Sequence, residues 1–340
     1  MQDRLYPGTG ERVRKICLVF LVNESFDPLT PFEQAFKAAG FEVESVRIPN
    51  VWISGLTRKY VNDLEALIRR KKTEGYFVVF SPQSTELFLT GPDLIIAYSA
   101  YRSWFDAKRM RVIPHLWTPV RPPTSVDRFK WTTKPPLRVG FMGRSYTTSR
   151  LANILMKAPM QVKQWLLSGN HLRYPRFLAT LTELKAFTTF NAFPRIETLQ
   201  ILKARAKDRG GIETDIRDKI GFNGTAEEMQ AYERHLEFCT YVVCPRGTEN
   251  YSFRIYEALN RGRVPVIIDT DVVLPKEIDW DRLSVRVPYE QLDSIYDIIA
   301  RDYHARSAEE FVARQELAFA TMAELAAMRW MKSLAHEVGP

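Results

Sequence analysis

Arg246, Arg254 and Glu257 lie close together in one polar stretch of the 340-residue chain, between two apolar runs. A guanidinium is planar, permanently charged and able to bond two phosphate oxygens at once, so two of them beside Gly247 and Ser252 predict an anion site. Arg254 and Glu257 are three residues apart, which puts both on one helix face, where the carboxylate can accept two hydroxyl hydrogen bonds. As a surface ion pair the two would contribute less than about 1 kcal/mol. The elements that must position them read as a strand over 241–244, a loop over 246–251, a helix over 252–260 and a second strand over 264–268. Ser252 suits an N-cap and Gly262 a left-handed stop. Neither apolar run alternates, so both are expected as interior strands of a parallel sheet, with an anion held where the first meets its helix.

Other residues carry candidate chemistry. Arg144 follows the strand-like run LRVGFM and Gly143, a turn that lets backbone approach a ligand. Glu24 and Asp27 follow the apolar run 16–22, at the carboxyl end of a first strand, where open α/β sheets put ligands. Either could act as a base, as could His115 in a later strand-end loop. Tyr101, Arg102 and Trp117 occupy such loops too; aromatic faces and a guanidinium suit sugar rings and their hydroxyls, making them candidates for a second substrate. Asp269 and Asp271 form an Asp-x-Asp after an apolar strand, a pattern that elsewhere holds a divalent ion. With an arginine-rich βαβ unit before it, the expectation is a loop without a metal.

Composition bounds the rest. Hydrophobic content of 45% and charged content of 26% are those of a globular protein, which excludes a disordered chain. A net charge of +8 suits an anionic ligand, a nucleic acid or an anionic membrane face. Cys17, Cys239 and Cys244 have no metal-ligand spacing and read as buried thiols of a reducing compartment. No apolar run is long enough to span a bilayer and the N-terminus has no signal core, so the expected location is cytoplasmic, with peripheral association at the inner face of a membrane. The proline-rich segment 118–136 reads as a linker between an N-terminal domain, 1–130, and a C-terminal domain, 137–307, with one helix over 308–340 returning to the first. Within the C-terminal domain, between 152 and 237, a strand is expected at 186–190 and a helix at 197–207.

Residues 239–287 resemble the exostosin family of glycosyltransferases. The resemblance rests on Cys244-Pro245-Arg246-Gly247, then Ser252-x-Arg254-x-x-Glu257-Ala258, Pro265-Val266, Leu274-Pro275 and Trp280. It implies an α/β GT-B fold of two Rossmann-like, doubly wound domains facing a cleft. It also implies an inverting transferase taking a sugar from a nucleotide diphosphate, UDP favoured, to a hydroxyl of a glycan or lipid-linked glycan in polysaccharide or surface-glycan synthesis. On that reading Arg144, Arg246, Gly247, Ser252, Arg254 and Glu257 bind the donor, Tyr101, Arg102 and Trp117 face the acceptor, and Asp27, Glu24 or His115 takes the proton. No cofactor beyond the nucleotide-sugar co-substrate is implied. The alternatives are a fucosyltransferase-like GT-B enzyme using a GDP-sugar and, from another class, a non-catalytic basic module binding nucleic acid. The sequence offers no basic helix or zinc site for the latter, so no nucleic-acid partner is expected.

Overall fold

The computed structural model describes residues 15–22, 29–49, 58–82, 89, 91–115, 127–144, 149–169, 187–206, 211–219, 225–247 and 249–338. Short, unalternating apolar runs become the strands of two five-stranded sheets. The first comprises β1 (Lys15–Val22), β2 (Glu42–Pro49), β3 (Phe77–Ser81), β4 (Leu94–Ala97) and β6 (Met110–Val112), in the order β2-β1-β3-β4-β6. The second comprises β7 (Arg138–Arg144), β8 (Glu213–Lys219), β9 (Tyr241–Cys244), β10 (Val264–Asp269) and β12 (Val285–Pro288), in the order β12-β10-β9-β7-β8. Every neighbouring pair is parallel. Counted from its own first strand, each sheet runs 2-1-3-4-5, so the winding reverses between β1 and β3 in one lobe and between β7 and β9 in the other. These are the topological switch points where doubly wound sheets bind ligands. Two such lobes make a GT-B architecture.

The lobes meet at their carboxyl edges. β5 (Ala100–Tyr101), just after β4, pairs antiparallel with β11 (Val272–Val273), just after β10, with Tyr101 opposite Val272. A second junction is made by the C-terminal segment. Helix Ala308–Ala326, started by a Ser307–Glu310 capping box, packs on helix Arg254–Asn260 of the second lobe. There Gly262, at φ 61°, lies so close that a Cβ would fall 2.5 Å from Gln315. Helix Arg329–Val338 packs on helix Leu29–Ala38 of the first lobe, its Trp330 edge-on to Phe32 at 6.0 Å. The expected single helix is thus two, broken at Met328, which sits at φ 54°. The break turns the second helix onto the apolar face of Phe32 and Phe36, which would otherwise be exposed.

Two further readings are corrected. Residues 187–190 are helical, the start of Phe187–Arg205, a 19-residue helix that contains Pro194. β-branched and aromatic residues ahead of a proline read as a strand, and tertiary packing overrode that local preference. β8 escaped the sequence reading because ETDIRDK is almost wholly charged; it is an edge strand, where alternating charges keep the sheet from pairing further. Cys17, Cys239 and Cys244 are buried free thiols. Among the described residues no helix is long and apolar enough to cross a membrane.

Candidate functional site

The second sheet opens at its switch point. β7 and β9 are paired only at Val139–Tyr241 and Gly140–Val242. Beyond that, β7 continues with β8 as far as Arg144–Lys219, and β9 continues with β10 as far as Cys244–Ile267. The carboxyl halves of the two strands therefore diverge, and guanidinium groups occupy the place of the missing ladder bonds.

Arg254 is the first of these. Its side chain is buried, 8% exposed; Nη2 donates to the Met142 carbonyl at 2.8 Å, and the guanidinium lies 4.4 Å over the Phe141 ring. Among the described residues its buried Nε and Nη1 have no hydrogen-bond partner and it makes no ion pair. Burying N–H donors of a cation without acceptors is costly, so the arrangement is one that an anion would relieve. Gly143 makes it possible, since a Cβ there would stand 2.0 Å from Nη2. The helix carrying Arg254 is shorter than the sequence suggested, spanning Arg254–Asn260. Ser252 is not its N-cap: Phe253 takes that position with helical φ/ψ and no side-chain bond, while the Ser252 carbonyl accepts from the Ile255 amide at 3.1 Å. Glu257 is half-buried and pairs not with Arg254 but with Tyr232, whose hydroxyl donates to Oε2 at 2.5 Å.

Arg195 is the second guanidinium at the crevice, and the sequence reading missed it. From helix Phe187–Arg205 its Nε donates to the Arg246 carbonyl at 2.9 Å, its Nη2 to the Pro245 carbonyl at 3.0 Å, and its Nη1 to the Arg144 carbonyl at 3.4 Å. It bridges the exits of β7 and β9. No motif signals a buried arginine in mid-helix. The available hint was that Ala192 and Leu199, three positions before and four after it, are apolar, so Arg195 shares a buried face.

Arg246 does something different from what its position implied. It is buried, Nη1 donating to Asn250 Oδ1 at 3.0 Å and Nη2 to the Tyr101 hydroxyl at 2.9 Å, so it links the second lobe to the first. Asn250 adds a bond from its Nδ2 to the Ala100 carbonyl, and the Gly247 amide closes the loop onto the Tyr251 carbonyl. Tyr101 is wholly buried and stacked on Trp104 at 5.4 Å, so it is a junction residue with no face open to an acceptor. Arg102 makes two bonds to the Asp269 carboxylate, 3.1 and 3.0 Å, and lies 3.7 Å from Asp271. The Asp271 carbonyl and carboxylate also accept from the Arg102 and Ser103 amides, which fixes Asp271 at φ 64°. The Asp-x-Asp is therefore a latch between lobes, its carboxylate oxygens met by the Arg102 guanidinium, the Ser103 and Val272 amides and, 3.8 Å from Asp269, Arg286. The backbone of Arg144 lies at the crevice and its side chain is exposed.

His115 sits between rings of both lobes: Tyr98 at 4.3 Å, Phe253 at 4.5 Å and Tyr251 at 5.6 Å. Burial pushes its pKa from 6.5 down to about 3. An imidazole so hard to protonate is a weak base, and the cage argues for a packing role. Glu24, Asp27 and Trp117 lie outside the described residues.

Residues 197–301 match the family model of the Exostosin GT47 domain. A probable glucuronosyltransferase of Oryza sativa subsp. japonica is 31% identical over 94 residues, 27% of this chain and 22% of the relative. Exostosin-1 of Drosophila melanogaster is 27% identical over 171 residues, 48% of this chain and 20% of the relative. The matches thus span about a fifth of the length of these curated relatives. Among solved structures, a trehalose-6-phosphate synthase aligns over 95% of this chain and 98% of that one, at 9% identity and a TM-score of 0.46.

Proposed function

We propose, from the premise that residues 197–301 are an exostosin-like glycosyltransferase domain, that this chain transfers a sugar from a nucleotide diphosphate to a hydroxyl of a glycan or lipid-linked glycan. The single observation that carries the reading is Arg254, a buried guanidinium with two unpartnered nitrogens at the switch point of the second sheet. A diphosphate supplies the acceptor oxygens those nitrogens lack. As the bond from the anomeric carbon to the phosphate oxygen breaks, negative charge grows on the leaving diphosphate. A cation already fixed beside it stabilises that charge more than it stabilises the bound donor, which is what accelerates the step. Glu257, held by Tyr232, offers its other oxygen to the ribose hydroxyls. The acceptor hydroxyl attacks from the face opposite the leaving group and inverts the anomeric centre. With His115 caged, its proton goes to Glu24 or Asp27, which follow the carboxyl end of β1. Arg254 serves in place of a divalent metal, and turnover is expected to persist in EDTA. We place the reaction on the cytoplasmic side, at the inner face of a membrane in polysaccharide or surface-glycan synthesis.

UDP is the favoured nucleotide, and the names of the relatives suggest a glucuronosyl or xylosyl donor. Calorimetric titration with UDP, GDP, CDP and dTDP, followed by hydrolysis assays on UDP-glucuronic acid and UDP-xylose, tests the reading. Tight binding of GDP in place of UDP would move the protein to a fucosyltransferase-like donor. Arg254→Ala is expected to weaken the preferred diphosphate by about 10- to 150-fold, the loss of one hydrogen bond to a charged group. Unchanged affinity in a folded Arg254→Ala protein would sink the proposal.

A further inference from the structure

The divergence of β7 and β9 leaves backbone carbonyls facing a gap, and the gap needs something of defined width to hold it open. Arg195 has the shape for this. Its planar fork reaches the carbonyls of Pro245 and Arg246 on one side, at 3.0 and 2.9 Å, and that of Arg144 on the other, at 3.4 Å. The three acceptors belong to two chain exits about 100 residues apart in sequence. They are joined through a third element, helix Phe187–Arg205, which is itself anchored by the Lys163–Glu197 ion pair at 2.6 Å and by the Tyr296 hydroxyl donating to the Leu202 carbonyl at 3.0 Å. Two residues of β7 inward from the brace, Arg254 bonds the Met142 carbonyl under Gly143. The two guanidiniums therefore succeed each other along the crevice, Arg254 within it and Arg195 across its mouth.

We propose that Arg195 is a positioning residue of the donor site: by spanning the exits of β7 and β9 it sets the separation between the Gly143–Arg144 backbone and the Pro245–Gly247 loop, and so the place where a diphosphate meets Arg254. The proposal rests on the donor-site reading above. A lysine keeps the charge but replaces three nitrogens in a fixed fork, each bonding its own carbonyl, with one; a methionine keeps the buried stem and loses the fork. Both substitutions change the width of the crevice, to which a diphosphate bridging it is more sensitive than a monophosphate held at one side.

The test uses the full chain, with Arg195→Lys and Arg195→Met, checked for fold by circular dichroism and thermal melting. Each is titrated with the nucleoside diphosphate that binds the parent best among UDP, GDP, CDP and dTDP, and with the matching monophosphate. The expected result is a diphosphate affinity at least tenfold weaker in both folded variants, with monophosphate affinity within threefold of the parent. Diphosphate affinity equal to the parent's in either folded variant overturns the proposal. So does an equal weakening of both ligands in step with a lowered melting temperature, which is the mark of general support for the fold. If the methionine variant does not fold, the lysine variant decides. A parent that binds none of the four diphosphates overturns the donor-site reading itself and with it the role of Arg195.

Discussion

His115 shows how a side chain suited to catalysis can be committed to packing. Its imidazole is enclosed by Tyr98, Tyr251 and Phe253, and burial drives its pKa from 6.5 to about 3. The unfolded chain takes up a proton near pH 6.5 that the folded chain refuses until about pH 3. This group's contribution to stability is therefore complete above pH 6.5 and is lost as pH falls through that window, by up to about 1.4 kcal/mol per pH unit. Urea denaturation at pH 7.5, 5.5 and 4.5 is expected to show a shallower loss in His115→Phe than in the parent; parallel curves would contradict the cage. The same contrast of type and surroundings separates the two arginines of the opening motif. Arg254 and Arg246 look equivalent in sequence. Among the described residues Arg254 leaves Nε and Nη1 without a partner beside β7, whereas Arg246 turns both terminal nitrogens to Asn250 and to a tyrosine 145 residues away.

At the scale of elements, the C-terminal helix matters most to the first lobe. Helix Arg329–Val338 belongs to the same apolar cluster as Leu29, Phe32 and Phe36, though it follows the second lobe in the chain. Trp330→Ala removes a ring packed on Phe32 and is expected to destabilise the protein by about 3 kcal/mol, read from the urea midpoint. A loss below about 0.5 kcal/mol would mean the helix is loosely docked. Most element types were legible where an apolar run of strand length stands between polar segments, as in β1, β9 and β10. They were not legible where an element answers to its neighbours: β8 is charged because it is an edge, and helix Phe187–Arg205 forms through a segment whose local preference is extended.

For the whole molecule, the carboxyl edges of the two lobes are joined by a two-stranded ladder, by Arg246 to Tyr101, by Asn250 to Ala100 and by Arg102 to Asp269. Arg102 is 52% exposed, so its ion pair is screened and Arg102→Ala should cost less than about 1 kcal/mol of stability. The expected effect is on geometry: a larger radius of gyration in small-angle scattering, with nucleotide affinity kept. Scattering identical to the parent's would show that the β5–β11 ladder holds the lobes without the latch.

The sequence by itself determined the βαβ unit around Arg254, the second lobe that contains it and the resemblance to exostosin glycosyltransferases. Those rest on local facts, namely apolar runs of strand length, a glycine where a helix must stop, and arginines at fixed spacing. Tertiary structure alone decided which of those arginines faces the crevice and which ties the lobes together. It also decided that Asp269 and Asp271 answer to Arg102, and that Arg195 bridges two strand exits. Each of these depends on partners brought together from distant parts of the chain, and burial and hydrogen bonding between such partners leave no period in the sequence.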